Sequence, residues 1–243
     1  MTGILEVRNV SRSFGALWAV HDVSFTVAPG ELLGLIGPNG AGKSTLYNLI
    51  AGALKPARGE IIFSGQNVTN WPSYRIARLG IARTFQIPKP YRQLSVIENV
   101  MLTAFQRKRS MSQARALAET TLADVGINDY ANAPIETLTV GLLKRLEVAR
   151  ALATRPKLVL FDDEIMAGLT PTEVGAMTKF VAELPARGIT VIWVEHVLYA
   201  VMKTANRIIV LDRGEVIANG IPGEVARDPA VITAYLGKEI TLA

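Results

Sequence analysis

Short apolar runs bounded by turn residues recur along the chain at Leu5 to Val10, Val23 to Val27, Leu32 to Ile36, Ile61 to Phe63, Ile81 to Phe85, Leu158 to Phe161, Thr190 to Val194 and Arg207 to Leu211. Their length and β-branched content predict strands. Apolar residues return every three or four positions over Ser44 to Ala51, Val96 to Phe105, Gln113 to Val125, Leu142 to Ala153, Thr172 to Leu184 and Pro229 to Leu236, the spacing of one helix face. This alternation predicts an α/β fold with a mostly parallel core sheet wrapped by helices. The two strands ahead of residue 32 read as an antiparallel N-terminal β subdomain. From Pro88 to Arg155 the strand pattern stops, opening with the breaker Pro88-Lys89-Pro90. The expectation is a single domain, 1–243, in which 1–87 and 156–243 form a core lobe and 88–155 a helical insertion.

Between the run ending at Ile36 and the helical stretch from Lys43 lies Gly37-Pro38-Asn39-Gly40-Ala41-Gly42-Lys43-Ser44-Thr45, which fills the G-x-x-x-x-G-K-[ST] template of a P-loop without a mismatch. Glycines let backbone N–H groups crowd a polyphosphate, Lys43 reaches its terminal phosphates, and the Ser44 hydroxyl can ligate Mg²⁺. Strand, loop and helix in this order aim a helix N-terminus at the anion. The expected ligand is ATP. Such a site needs a strand-end carboxylate for Mg²⁺ and a polar group that orients the attacking water. Leu158-Val-Leu-Phe-Asp-Asp-Glu164 supplies both. Counting back from Ala167-Gly168-Leu169 gives Asp163 to the metal and Glu164 to the water, whereas counting forward from Pro156 favours Asp162 and Asp163.

Composition narrows the remaining chemistry. The 243 residues include no cysteine and only two histidines, His21 and His196, which excludes a disulfide framework and argues against a zinc site. The first ten residues lack the layout of a signal peptide, and no uninterrupted apolar run is long enough for a bilayer. Yet 49% of residues are hydrophobic and mean hydropathy is +0.27, so some apolar surface is expected to be covered by partners. The net charge of +5 is modest. The basic run Arg107-Lys-Arg109 has no interleaved aromatics, so it reads as a solvated loop and no nucleic acid is expected.

Taken together the motifs resemble the nucleotide-binding subunits of ABC transporters, over essentially the whole chain. On that resemblance Phe14 stacks on adenine, Gln86 contacts the γ-phosphate and Mg²⁺, and His196 contacts the γ-phosphate. Leu138-Thr139-Val140-Gly141-Leu142 takes the place of the signature loop usually written LSGGQ, whose Thr139, Val140 and Gly141 meet ATP held by a partner cassette. Val140 and Leu142 depart from that pattern, and Ile165 replaces a proline common after the glutamate. Ala167 to Thr170 falls at the D-loop position.

Phe14-Gly15-Ala16-Leu17, Gly34 to Gly40, Gly80 to Gln86 and Val231 to Gly237 are similar to the branched-chain amino-acid importer branch of the family. The resemblance implies a peripheral ATPase on the cytoplasmic side of the membrane. Its partners would be a second cassette, identical or paralogous, transmembrane permease subunits and, indirectly, a solute-binding protein. Urea or amide import and lipid or lipopolysaccharide export are alternatives. A nucleic-acid-associated ABC ATPase would usually carry a coiled-coil insertion or two cassettes, and neither is seen here. A P-loop GTPase would need an Asn-Lys-x-Asp guanine reader, which is absent.

Overall fold

Alternate residues of the central strands feed two separate hydrophobic cores, and this period-2 division organises the molecule. The computed structural model describes residues 3–85, 87–162, 165–195 and 198–236. The chain opens with β1 (Leu5–Phe14), β2 (Leu17–Val27) and β3 (Leu32–Ile36), followed by α1 (Lys43–Ile50), β4 (Arg58–Phe63), β5 (Gln66–Asn67), α2 (Ser73–Leu79) and β6 (Ile81–Arg83). Helices α3 (Val96–Ala104), α4 (Met111–Asp124) and α5 (Val140–Leu152) come next. The chain then runs through β7 (Leu158–Phe161), α6 (Pro171–Glu183), β8 (Thr190–Val194), α7 (Leu198–Thr204), β9 (Arg207–Asp212), β10 (Glu215–Gly220), α8 (Pro222–Val225) and α9 (Pro229–Leu236).

Among the described residues the strands form a four-stranded sheet, β2-β1-β4-β5, and a six-stranded sheet, β10-β9-β3-β8-β7-β6. The first is antiparallel throughout. In the second, β9, β3, β8, β7 and β6 are parallel and only β10 is antiparallel. The mostly parallel core and antiparallel N-terminal sheet match the expectation.

On one face of the six-stranded sheet, Leu33, Leu35, Leu160, Ile192 and Ile209 pack with α1 and the antiparallel sheet. On the other, Ile36, Val159, Phe161, Trp193 and Val210 pack with the helices. Helices α3 to α5 join the second core through Val96, Val100 and Ala104, through Ala114, Ala118 and Leu122, and through Leu146 and Ala149. A spacing of three or four residues makes α3 and α4 one-sided, whereas α5 buries four consecutive residues, Leu146 to Ala149, and is enclosed on most sides.

The structure adds elements that lack an apolar signal. Helix α2 buries only Ile76, and β10 is an edge strand with no fully buried position, so neither shows a periodic run. Helix α7 follows β8 so closely that strand and helix read as one apolar stretch. Conversely, β6 stops at Arg83 rather than at Phe85, because strand pairing with β7 ends at Arg83↔Leu160 and Thr84 and Phe85 are irregular.

Candidate nucleotide site

The P-loop leaves β3, whose five residues are all buried, and enters α1 at Lys43. Tight packing explains its outer glycines. A Cβ on Gly37 would lie 2.1 Å from the Leu211 carbonyl oxygen of β9, and one on Gly42 (φ 101°) 2.1 Å from the Ala19 carbonyl oxygen of β2. The turn between β9 and β10 fixes the loop from outside. Gly214 N–H donates to the Ala41 carbonyl at 2.9 Å, while the Gly214 carbonyl accepts from His21 N–H at 2.8 Å. His21 thus belongs to the scaffold, and its Nδ1 also meets Glu215 at 2.8 Å.

Helix α1 begins with Gly42 as a cap that offers no side-chain acceptor, and its first turn holds no acidic residue. Its leading N–H groups therefore have no side-chain cap to satisfy them, and the positive end of its dipole is uncompensated, which is what an anion requires. Lys43 is buried and turns its ammonium back into the loop, donating to the carbonyls of Gly37 (2.7 Å) and Pro38 (3.1 Å). Phosphate oxygens are stronger acceptors than these neutral carbonyls. Ser44 is exposed at the start of the same helix, with its hydroxyl free of the core.

Phe14 ends β1 half-exposed, its ring 5.1 Å from the Arg12 guanidinium carbon, on the hairpin that leads into Ala19 and so to Gly42. Strands β6, β7 and β8 run parallel to β3 and end at Arg83, Phe161 and Val194, on the edge where β3 delivers the P-loop. Gln86, Asp163, Glu164 and His196 lie outside the described residues. Asp162 is described. Its N–H donates to Thr84 Oγ1 at 3.0 Å, which ties the end of β7 to the turn after β6. Tyr47 on α1 donates its hydroxyl to the Thr84 and Leu160 carbonyls, and burial pushes its pKa well above the ordinary phenol value.

Thr139 caps α5, its Oγ1 accepting from Leu142 N–H at 3.3 Å. Val140 is exposed, while Gly141 is buried so tightly that a Cβ would lie 2.3 Å from Glu173 Oε1 of α6. A Cβ on Gly168 would likewise lie 3.3 Å from Val140 Cγ1, so the signature-like and D-loop-like segments touch within one chain.

Periodicity does not single out two further groups. Glu147 on α5 is buried, bonded to the Phe85 backbone and paired with Arg150 at 3.0 Å. Burial raises its pKa, and the Arg150 charge opposes that rise. Arg150 also donates to the Lys89 carbonyl at 3.0 Å, so α5 grips the chain on both sides of position 86. Asn99, fully buried on α3, accepts from Tyr91 N–H at 2.8 Å and donates to the Tyr91, Leu94 and Ser95 carbonyls. Three polar residues inside an otherwise apolar helical pattern were the available signal. Among the described residues no helix is long and apolar enough to cross a membrane.

A family model described as "ABC transporter" matches residues 20–165, and one described as "Branched-chain amino acid ATP-binding cassette transporter" matches 215–241. The chain is 36% identical to the "High-affinity branched-chain amino acid transport ATP-binding protein LivG" of Escherichia coli K12, over 97% of this chain and 98% of that one. It is 32% identical to the "Lipopolysaccharide export system ATP-binding protein LptB" of Acidithiobacillus ferridurans over the full length of both.

A solved ABC transporter cassette in its ADP conformation superposes with a TM-score of 0.86 at 31% identity, covering 98% of this chain and 100% of that chain. A dimeric bacterial ABC transporter cassette gives 0.82 at 26% identity, over 90% and 98%. Cassettes of this kind thus bind nucleotide and form dimers. With its P-loop, two-sheet core and full-length relatives, this chain belongs to the ABC transporter ATP-binding family and is one of its ATPases.

Proposed function

We propose that this chain is a peripheral subunit on the cytoplasmic face of a membrane that hydrolyses ATP to drive import of branched-chain amino acids through separate permease subunits. The observation that carries the choice of cargo is the match of residues 215–241 to the branched-chain amino-acid family model, together with the likeness to LivG. In this reading ATP lies on the P-loop with its phosphates at the α1 N-terminus and Lys43, and Phe14 stacks on adenine. Thr139, Val140 and Gly141 meet the ATP of a second cassette. Ser44, Gln86 and Asp163 would hold Mg²⁺, which neutralises charge on the transferring phosphoryl group. Glu164 orients the attacking water and His196 contacts the γ-phosphate. Residues 1–87 and 156–243 act as the core lobe and 88–155 as a helical arm.

Contact with a permease is supported by a groove of about 270 Å³ between α2, α3 and α5, lined in part by Tyr74, Ala77, Phe85 and Thr103. Tyr74 and Phe85 are exposed there, in keeping with apolar surface that a partner covers. Because Glu147 and Arg150 also line the groove, a partner seated in it would press on the residues that grip the Phe85–Lys89 segment.

Complementation tests the cargo. In cells lacking their own LivG-type ATPase, this chain co-expressed with its permeases and binding protein should restore uptake of labelled leucine, and the Lys43→Met variant should not. Restored ATPase activity without leucine uptake would overturn the cargo assignment and turn attention to the full-length likeness to LptB.

A further inference from the structure

Positive charge is not spread evenly along this chain. Between Glu60 and Glu119 it carries nine Lys and Arg residues and one carboxylate, Glu98, a net of +8 in a chain of net +5, so the remaining residues together are acidic. Folding gathers part of this excess on one surface. Gln106, in the turn after α3, donates to the Ala77 carbonyl of α2 at 2.7 Å, and Arg107 donates to the Thr154 carbonyl after α5 at 2.8 Å. Lys157 N–H donates to the Gly80 carbonyl at 2.8 Å, and its side-chain stem packs 3.2 Å from where a Gly80 Cβ would stand. Three segments far apart in the chain thus meet at the C-terminal end of α2. They bring Arg78, Arg107 and Lys157 together, with Arg75, Arg109 and Arg155 beside them. All six are exposed, and among the described residues none of them pairs with a carboxylate. Like charges left unneutralised in this way attract an anionic partner.

The neighbourhood of the surface selects that partner. Ala77 and Thr154 also line the groove proposed for the permease, so a subunit docked there carries these cations to the lipid around the permease. Clusters of four to eight Lys or Arg are what the negative potential of an anionic leaflet attracts. Tyr74 is exposed at the border between groove and cations, and an aromatic ring with a polar tip suits the headgroup layer. Nucleic acid fits less well. The Trp71 and Tyr74 rings are faced by the guanidinium groups of Arg75 at 3.6 Å and Arg78 at 5.7 Å, which occupy ring faces that bases would need for stacking.

We propose that this basic surface binds the anionic phospholipid headgroups of the membrane, so that the cassette is held by lipid as well as by its permease. The inference shares with the proposed function only the reading that the chain works beside a membrane.

The test sediments the full chain with vesicles of phosphatidylcholine alone, or of equal parts phosphatidylcholine and phosphatidylglycerol, with no permease present. The chain should sediment with the anionic vesicles only. Binding should be lost when salt is raised from about 0.1 M to about 1 M, which shortens the screening length from about 10 Å to about 3 Å. Each cation near an anionic leaflet contributes about five-fold to partitioning, so the triple variant Arg78→Gln, Arg109→Gln and Lys157→Gln should bind about 100-fold less tightly. Lys179→Gln, Lys203→Gln and Arg227→Gln together remove the same charge from exposed positions on α6, on α7 and after α8, and this variant should bind nearly as wild type does. Wild-type binding without preference for anionic vesicles, or equal losses in the two triple variants, would overturn the proposal. So would tighter binding to a duplex oligonucleotide that the first variant loses, which would assign the surface to nucleic acid. Because neither permease nor leucine enters this assay, its failure would leave the cargo assignment to the uptake experiment.

Discussion

Gly42→Ala is the substitution whose cost the structure fixes most closely. Residue 42 sits at φ 101°, and its new Cβ would be built 2.1 Å from the Ala19 carbonyl oxygen, with Gly214 Cα 3.4 Å away. The left-handed backbone costs a side-chain-bearing residue about 1–2 kcal/mol. The overlap adds overpacking of about 1–3 kcal/mol, because carbon needs roughly 3.5 Å and both neighbours are backbone. The sum, about 2–5 kcal/mol, is a large part of the 5–15 kcal/mol typical of a domain.

Gly40→Ala isolates the two causes. Gly40 also has a positive φ, 80°, but a Cβ there meets nothing within 4 Å, so only the backbone term of about 1–2 kcal/mol applies. Urea denaturation of both variants without nucleotide should give a clearly lower midpoint for Gly42→Ala than for Gly40→Ala. Equal midpoints would refute the claim that the P-loop is wedged between β2 and the β9–β10 turn.

Other expectations follow from the buried polar groups. Asn99→Ala removes four hydrogen bonds in the interior and should cost about 2–4 kcal/mol in chemical denaturation, with faster amide exchange at Tyr91. The pKa of Glu147 is raised by burial, so the folded chain binds its proton more tightly than the unfolded chain. Its contribution is present below the ordinary value of 4.5 and is lost as pH rises through the raised folded value. The stability of wild type relative to Glu147→Gln should therefore fall as pH climbs from 4.5, and a flat difference would contradict the assigned cause. Glu164→Gln should reduce ATPase turnover by about 10² or more while leaving ATP binding intact, and near-native turnover would favour the register that uses Asp162 and Asp163.

The fold was legible where burial imposes a period. Strands β3, β7, β8 and β9 are buried on both faces and read as continuous apolar runs, and α1, α3, α4 and α6 bury one face each. Elements that bury little, such as α2 and β10, leave no such trace. The P-loop was legible because phosphate chemistry fixes residue types at fixed spacing in a contiguous stretch. The grip of Glu147 and Arg150 on the Phe85–Lys89 segment could not be read that way. It joins residues far apart in the chain, and a lone buried glutamate announces its partner only when the chain has folded. The near-contact of Gly141 with Glu173 was hidden for the same reason, although Gly141 stands in the signature-like loop.

The central claim, that a triphosphate seats on the loop between β3 and α1 and is held by Lys43, is tested most directly by calorimetric titration of the folded chain with Mg·ATP, beside Lys43→Met. Wild type should show saturable binding at one site per chain, and Lys43→Met, with the same circular-dichroism spectrum, should show none. Absence of saturable heat in the wild-type chain, or equal affinity in the variant, would contradict it.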